Sequence, residues 1–280
     1  RKFSDDPWTI TKFVANNTLS TEAAAILWQA IQYEMSILTV GGTASGKTST
    51  LNALGNFIPP NQRIISIEDT RELRLASHLY WVPMMTRLAN AEGKGEVTME
   101  DLLVNSLRMR PDRILVGEVR RKAEAETMFE AIHTGHSCYG TFHANHAKEA
   151  IARLTNEPVN VPKALLPAIN LLLVQFRNRR TGQRRTFEIA EVTEDCQYNL
   201  LYQYDAKKDQ LVKKEASKRF TQELTLFTGL TAQEVAADQE EKKKILDELI
   251  KRKVFNVEAV GKFMADYYHD KEAAKKSIGL

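Results

Sequence analysis

Gly41, Gly46, Lys47 and Thr48 stand at the spacing G-x-x-x-x-G-K-T inside residues 36–54, SILTVGGTASGKTSTLNAL. Glycines let backbone N–H groups curl around an anion, and a helix N-terminus adds partial positive charge. A lysine at this place reaches the β and γ phosphates of a nucleotide, and the threonine hydroxyl ligates Mg²⁺. The spacing therefore predicts a phosphate-binding loop, with Gly42, Thr43, Ala44, Ser45, Gly46, Lys47, Thr48 and Ser49 around the anion. Such a loop needs a strand before it, over 36–40, and a helix after it. That context argues against a glycine turn that merely ends a strand.

Hydrolysing a nucleotide takes more than a cradle. It needs a carboxylate near Mg²⁺, one that positions water, and positive charge on the γ-phosphate. Three further segments end in suitable groups: RIISIEDTREL offers Glu68 and Asp69, ILVGEVR offers Glu118, and CYGTFHANH offers Thr141 and His143. Each polar group follows a short apolar run. An acidic residue after a strand also serves as a turn or helix cap, but three such coincidences beside a phosphate loop favour a site.

The elements that must position these groups alternate. A helix is expected from Ser20, with Ala23, Leu27, Ala30, Ile31 and Met35 at helical period. Strands are expected over 63–68, 79–86, 114–117, 138–143 and 171–176, with helices over 98–109 and 123–132, the first opening on a Thr98–Asp101 capping box. Strands alternating with helices predict an α/β fold with a mostly parallel sheet and ligands at its carboxyl edge. Residues 89–96 are a polar, glycine-bearing loop, expected to be mobile. From residue 179 two hairpins are expected, turning at Thr181 and Gly182 and again over 207–209. Helices follow, one behind a Thr231–Glu234 capping box and one behind Asn256. The expected division is a polar, irregular linker over 1–18, a core over 19–178, and hairpins with a helical part over 179–280.

Composition narrows the function classes. Over 280 residues, 39 basic and 36 acidic side chains give a net charge of +3, so nothing demands a polyanionic partner. Two cysteines, Cys138 and Cys196, give no disulfide framework and fit a reducing compartment. The longest apolar run, 164–176, carries Pro167 and Asn170 and is too short to span a bilayer. A start at Arg1 without a signal-like segment suggests a cytoplasmic piece of something longer. His133, His136, Cys138, His143 and His146 are dense enough to suggest zinc. If 138–143 is a strand, however, Cys138 and His143 point to opposite faces and cannot share one ion. Trp28, Trp81, Phe129 and Phe263 fall at core-like positions, and the basic run 177–185 reads as a solvated hairpin.

Taken together, GGTASGKTS (Walker A), SIEDTREL (Asp box), RMRPDRILVGEVR (Walker B with an arginine stretch) and TGHSCYGTFHA (His box) resemble the secretion-traffic ATPases, in that family's order. These power type II secretion, type IV pili, archaella and type IV secretion. With PWT near the start and LTNEP after the His box, the resemblance covers about residues 7–180. SIEDTREL and the compact tail are most similar to the archaeal archaellum and pilus branch. Bacterial assembly members usually add a four-cysteine zinc insertion, which this chain cannot supply.

The resemblance implies a RecA-like P-loop NTPase core, ATP and Mg²⁺ as cofactors, and a homo-hexamer with nucleotide near a subunit boundary. It also implies a membrane platform protein as partner, on the cytoplasmic face, and an N-terminal domain of which only the connection is present here. Carried onto matching positions, Lys47 and Thr48 hold phosphates and Mg²⁺, and Glu118 joins Thr48 near the metal, through water. Glu68 and Glu118 are the two catalytic carboxylates, and which one deprotonates water stays open at this level. His143 is the γ-phosphate sensor, with His136 second. Arg71 and Arg74 are the first choices for charges on the phosphates, across a subunit boundary, and Arg108, Arg110 and Arg113 the second. Two other classes compete. A nucleic-acid translocase needs a basic groove interleaved with stacking aromatics, which the sequence lacks. A non-hydrolysing nucleotide switch or scaffold would bind ATP without turnover.

Overall fold

Strands buried on both faces carry near-continuous apolar runs, and ILTV, IISI and LLLV are such runs. In the computed structural model, which describes residues 7–280, they lie in one sheet. Its strands are β1 (Ile37–Gly41), β2 (Arg63–Glu68), β3 (Tyr80–Met85), β4 (Arg113–Val116), β5 (Ser137–Phe142), β6 (Leu171–Arg177), β7 (Arg184–Val192), β8 (Tyr198–Asp205) and β9 (Gln210–Lys213). Their order is β3-β2-β4-β5-β1-β6-β7-β8-β9. All neighbours from β3 to β6 pair in parallel, and those from β6 to β9 antiparallel.

Helices are α1 (Ile10–Ala15), α2 (Thr21–Gln32), α3 (Lys47–Gly55), α4 (Met99–Leu107), α5 (Lys122–His133), α6 (Ala147–Thr155), α7 (Phe220–Thr228), α8 (Ala232–Lys251), α9 (Val257–His269) and α10 (Lys271–Ser277). Successive side chains of a strand point to opposite faces, so the sheet feeds two cores. Leu38, Val40, Ile65, Ile67 and Val116 pack under α4, α5 and α6. Ile37, Ile64, Leu115 and Tyr139 pack under α2, α3, α8 and α9. In this second core Trp28 is fully buried and stacks on Phe57 with ring centroids 5.3 Å apart. Phe129 and Phe263 are also buried, whereas Trp81 is half-buried on edge strand β3 and donates Nε1–H to Ser66 Oγ (2.8 Å). Among the described residues no helix is long and apolar enough to cross a membrane.

The stretch expected to be an irregular linker contains α1. Thr9 caps it, and the Thr9 and Thr11 hydroxyls donate to the Phe255 and Val254 carbonyls (2.8 and 2.7 Å). Ile10 and Phe13 are buried. Residues 1–6 of that stretch lie outside the described residues. The sheet continues through residue 178, because β6 and β7 pair from Leu171↔Glu191 to Arg177↔Arg184. Helix α6 was not expected, and within the tail read as helical the start of α7 was not located; their caps explain why. Ala147 N–H donates to the Glu188 carboxylate (2.7 Å), while Lys218, Arg219 and Phe220 N–H groups donate to Glu191. A capping carboxylate some thirty to forty residues away leaves no local signature.

Candidate functional site

Because β1, β2, β4 and β5 run parallel, the residues after each meet at one edge. Glycine at position 41 is sterically required: a Cβ there would collide with Ser45 Oγ and lie 2.6 Å from the Gln175 carbonyl. Gly46 has φ +104°, a conformation L side chains rarely adopt, and it caps α3. The turn is thus folded tightly ahead of the N-terminus of α3, where unpaired N–H groups attract an anion. Lys47 Nζ donates to the Gly41 and Gly42 carbonyls (3.0 and 3.1 Å). Partial burial lowers the Lys47 pKa, and nearby Glu118 works against that shift. Ser45 is buried, with its Oγ unpartnered among the described residues.

The rims of β2, β4 and β5 are locked together. Gly117 N–H donates to the Ile67 carbonyl (2.8 Å), Thr141 Oγ1 donates to the Gly117 carbonyl (2.6 Å), and Val119 N–H donates to the Thr141 carbonyl (2.9 Å). A Cβ on Gly117 would lie 3.3 Å from Glu68 Cγ, so this glycine makes room for the carboxylate. Glu68 is only 2% exposed. Its Oε1 accepts the N–H groups of Glu72 and Leu73 (2.9 and 3.0 Å), while Oε2 has no partner among the described residues. Burial pushes its pKa up to about 7, against the opposing pull of the Leu73 N–H and Arg71. Glu118 Oε2 accepts from Arg120 Nε and Nη2 (2.8 and 2.5 Å), and Arg120 Nη1 donates to Asp69 Oδ2 (2.8 Å). One guanidinium therefore bridges the acidic ends of β2 and β4. The loop after β5 reaches back to the phosphate loop, with Asn145 Oδ1 3.3 Å from a Cβ built on Gly42.

These groups enclose a cavity of about 1250 Å³, lined among others by Lys47, Thr48, Glu68, Glu118, Arg120 and His143. Thr43 to Ser49, Asp69 and Thr141 also line it. The expected arginines do not. Arg71 is exposed with its guanidinium over the Trp81 ring (5.0 Å), and Arg74 is exposed with its backbone N–H on Asn52 Oδ1 (2.8 Å). Arg108, Arg110 and Arg113 lie at the amino end of β4, the wrong edge for phosphate, and Arg113 is wholly buried on Gln62, Ser137, Tyr139 and the Ile31 carbonyl. His136 likewise precedes β5, with its ring on the Ala131 carbonyl (3.1 Å), so it is no γ-phosphate sensor. Cys138 is buried beside the Met128 carbonyl while His143 lines the cavity.

Three cations lining the cavity were missed by the sequence reading, Arg120, Arg184 and Arg185. Arg120 follows Glu118 by two residues, a signal present in GEVR. Arg184 lines the cavity from the opposite side, from a run read as solvated. Of that run, Arg177, Arg179 and Arg180 are exposed, but Arg185 is buried against Asp209 (2.7 Å).

A mostly parallel α/β sheet with a phosphate loop after its central strand and two carboxylates beside it defines an α/β phosphate-loop protein. More particularly, the chain belongs to the type II/IV secretion system protein family, whose model matches residues 1–181. It is 35% identical to the Methanocaldococcus jannaschii protein MJ0900 over 279 residues, which is 96% of this chain and 50% of that one. The chain thus spans half the length of that relative. Among solved structures it is similar to the VirB11 ATPase of the Brucella suis type IV secretion system in complex with sulphate, with TM-score 0.51 and 25% identity over 68% of this chain and 65% of that one. It shares its fold with the pilus retraction motor PilT with bound ADP, with TM-score 0.52 and 21% identity over 97% and 65% of the two chains.

Proposed function

We propose that the chain hydrolyses ATP as part of a hexameric motor for protein secretion or for pilus or archaellum assembly, working at the cytoplasmic face of a membrane against a platform protein. The observation that carries the catalytic part is Glu68: a buried carboxylate with one oxygen unpartnered among the described residues, lining the same cavity as Lys47 and Thr48. A general base works best with a pKa near the working pH, and burial brings Glu68 to about 7. Family membership and the likeness to a secretion ATPase and to a pilus motor with bound ADP support the cellular reading.

The residues present fit a triphosphate and a metal. The loop from Gly42 to Ser49 wraps the phosphates, and Lys47 exchanges the Gly41 and Gly42 carbonyls for phosphate oxygens. Mg²⁺, held by Thr48 and through water by Glu118, would neutralise charge on the β and γ phosphates. Water attacks the γ-phosphorus as the bond to the β–γ bridging oxygen breaks, and its proton passes to Glu68 Oε2. This assigns the base to Glu68 and the metal side to Glu118. Arg120 orients Glu118, and His143 senses the γ-phosphate. Arg71 and Arg74, exposed outside the cavity, supply charge to a neighbouring subunit's nucleotide.

Turnover measured with Lys47→Ala and Glu118→Gln tests the catalytic reading. Lys47→Ala abolishes hydrolysis, and Glu118→Gln binds ATP without turning it over. Retained hydrolysis in purified Lys47→Ala removes the catalytic claim. For the hexamer, specific activity rises with protein concentration as sites complete one another across subunits, and a flat dependence contradicts that assembly.

A further inference from the structure

We infer that Arg184 is the cation that holds the phosphate loop from the side opposite the carboxylates and binds the proximal phosphates of the nucleotide. This rests on the ATP-site reading above and extends it to the half of the site that the carboxylates leave unattended.

Sheet order supplies the first step. Glu68, Glu118 and His143 arise from β2, β4 and β5, all on one side of β1. A γ-phosphate drawn towards them leaves the α-phosphate end on the other side, where β6 and β7 lie. Register supplies the second. Gly41 pairs with Gln175 on parallel β6, and Arg177, two residues on, pairs with Arg184 on antiparallel β7. Arg184 is therefore lifted just beyond the end of β1, level with the loop.

Contacts then join it to the loop. Arg184 Nε–H donates to the Ala44 carbonyl (2.9 Å), and its Cδ lies 3.4 Å from a Cβ built on Gly46. Ala44 has φ +59°, a left-handed conformation that is strained for a non-glycine residue. A tie on its carbonyl helps hold that turn. Arg184 is itself well fixed at the backbone: its carbonyl accepts from Thr18 Oγ1 (3.3 Å) and from Arg185 Nη1 (3.0 Å). The Arg185 guanidinium is clamped on Asp209 by two 2.7 Å bonds, and Tyr204 OH donates to the same carboxylate (2.8 Å). Asn178 N–H on the Gln183 carbonyl (2.8 Å) closes the turn. So a rigid hairpin base presents an exposed guanidinium to the cavity, with the planar fork suited to phosphate oxygens.

Titrations with fluorescent ADP and fluorescent ATP test this on wild type, Arg184→Ala and Arg184→Lys. Arg184→Ala weakens both nucleotides alike, roughly tenfold, the scale of one charge-assisted hydrogen bond. KM rises with it while kcat falls less, because the lost contact lies away from the γ-phosphate. Arg184→Lys regains part of the affinity through its charge. In nucleotide-free protein, backbone amides of residues 43–46 exchange faster in Arg184→Ala, while the thermal unfolding midpoint stays at the wild-type value. Unchanged ADP affinity, or a loss confined to ATP and kcat, overturns the binding role. Unchanged amide exchange overturns the positioning role. If wild type binds neither probe, the ATP-site reading fails, and the exchange comparison still decides whether Arg184 holds the loop.

Discussion

Glu68 and Arg113 sit on adjacent strands of one sheet, both buried and both charged by nature, at opposite edges. Arg113, at the amino end of β4, is fully consumed. Nε donates to Gln62 Oε1 (2.7 Å), Nη1 to Ser137 Oγ and Tyr139 Oη (2.9 and 2.6 Å), and Nη2 to the Ile31 carbonyl (2.8 Å). Glu34 lies 3.7 Å from Nη2. Glu68, at the carboxyl end of β2, is half consumed: one oxygen takes two backbone N–H groups and the other takes none among the described residues. Leaving a buried polar atom unsatisfied costs about 1–3 kcal/mol, so Glu68 is kept at the expense of stability and Arg113 is not. A saturated buried charge welds the sheet, while an unsaturated one is available to a reaction.

The sharpest way to break this contrast is to remove the loop lysine. Lys47→Ala lowers ATP turnover by on the order of 10²–10³ or more, the scale of losing a preorganised cation, and fluorescent ATP binding falls with it. Next comes Glu68→Gln, which lowers turnover roughly 10²–10⁴-fold while Oε1 still receives the Glu72 and Leu73 N–H groups. Its stability moves the other way. The folded pKa of Glu68, about 7, stands above its ordinary 4.5, so its contribution to stability is full below 4.5 and is lost as pH rises to about 7. Glu68→Gln therefore melts higher than wild type above pH 7, and the two converge below pH 4.5.

Arg113→Met reverses the pattern. It costs roughly 2–4 kcal/mol in urea unfolding, because the buried guanidinium's bonds to Gln62, Ser137, Tyr139 and the Ile31 carbonyl are all lost from the interior, yet the folded protein keeps its kcat. A variant that folded normally but lost turnover would place Arg113 in the site after all. The smallest effect belongs to Asp209→Asn, beneath the Arg184 hairpin. The Arg185 bond holds Asp209 at a pKa of about 2, below its ordinary 3.8, so its support is present above pH 3.8 and is lost as pH falls to about 2. Asp209 is partly exposed, and the substitution costs no more than about 1 kcal/mol near neutral pH, read from urea midpoints.

Much of the carboxyl edge was legible in the sequence, because each group there directly follows an apolar strand. Glu68 ends β2, Glu118 comes two residues after β4, and His143 follows β5. Chain order and the parallel-sheet rule then suffice to bring them to one rim. Arginines resisted the same treatment, since the local sequence does not say which edge or face a long side chain takes. In RMRPDR the first two precede β4 and Arg113 opens it, which sends all three to the amino edge, and Arg71 follows β2 yet lies against Trp81. Arg184 touches Ala44 across 140 residues of chain, through a strand register set only when β7 folds back on β6. The caps of α6 and α7 were hidden for the same reason, being carboxylates on β7.

ATP hydrolysis by wild type and Glu68→Gln, followed on both sides of pH 7 with ADP affinity measured in the same samples, tests the role of the buried carboxylate most directly. Wild-type turnover should rise as pH passes through about 7 and Glu68 loses its proton, while Glu68→Gln should be slower by at least about 100-fold, lack that rise, and bind ADP normally. A Glu68→Gln enzyme with wild-type rate and the same pH profile would contradict it.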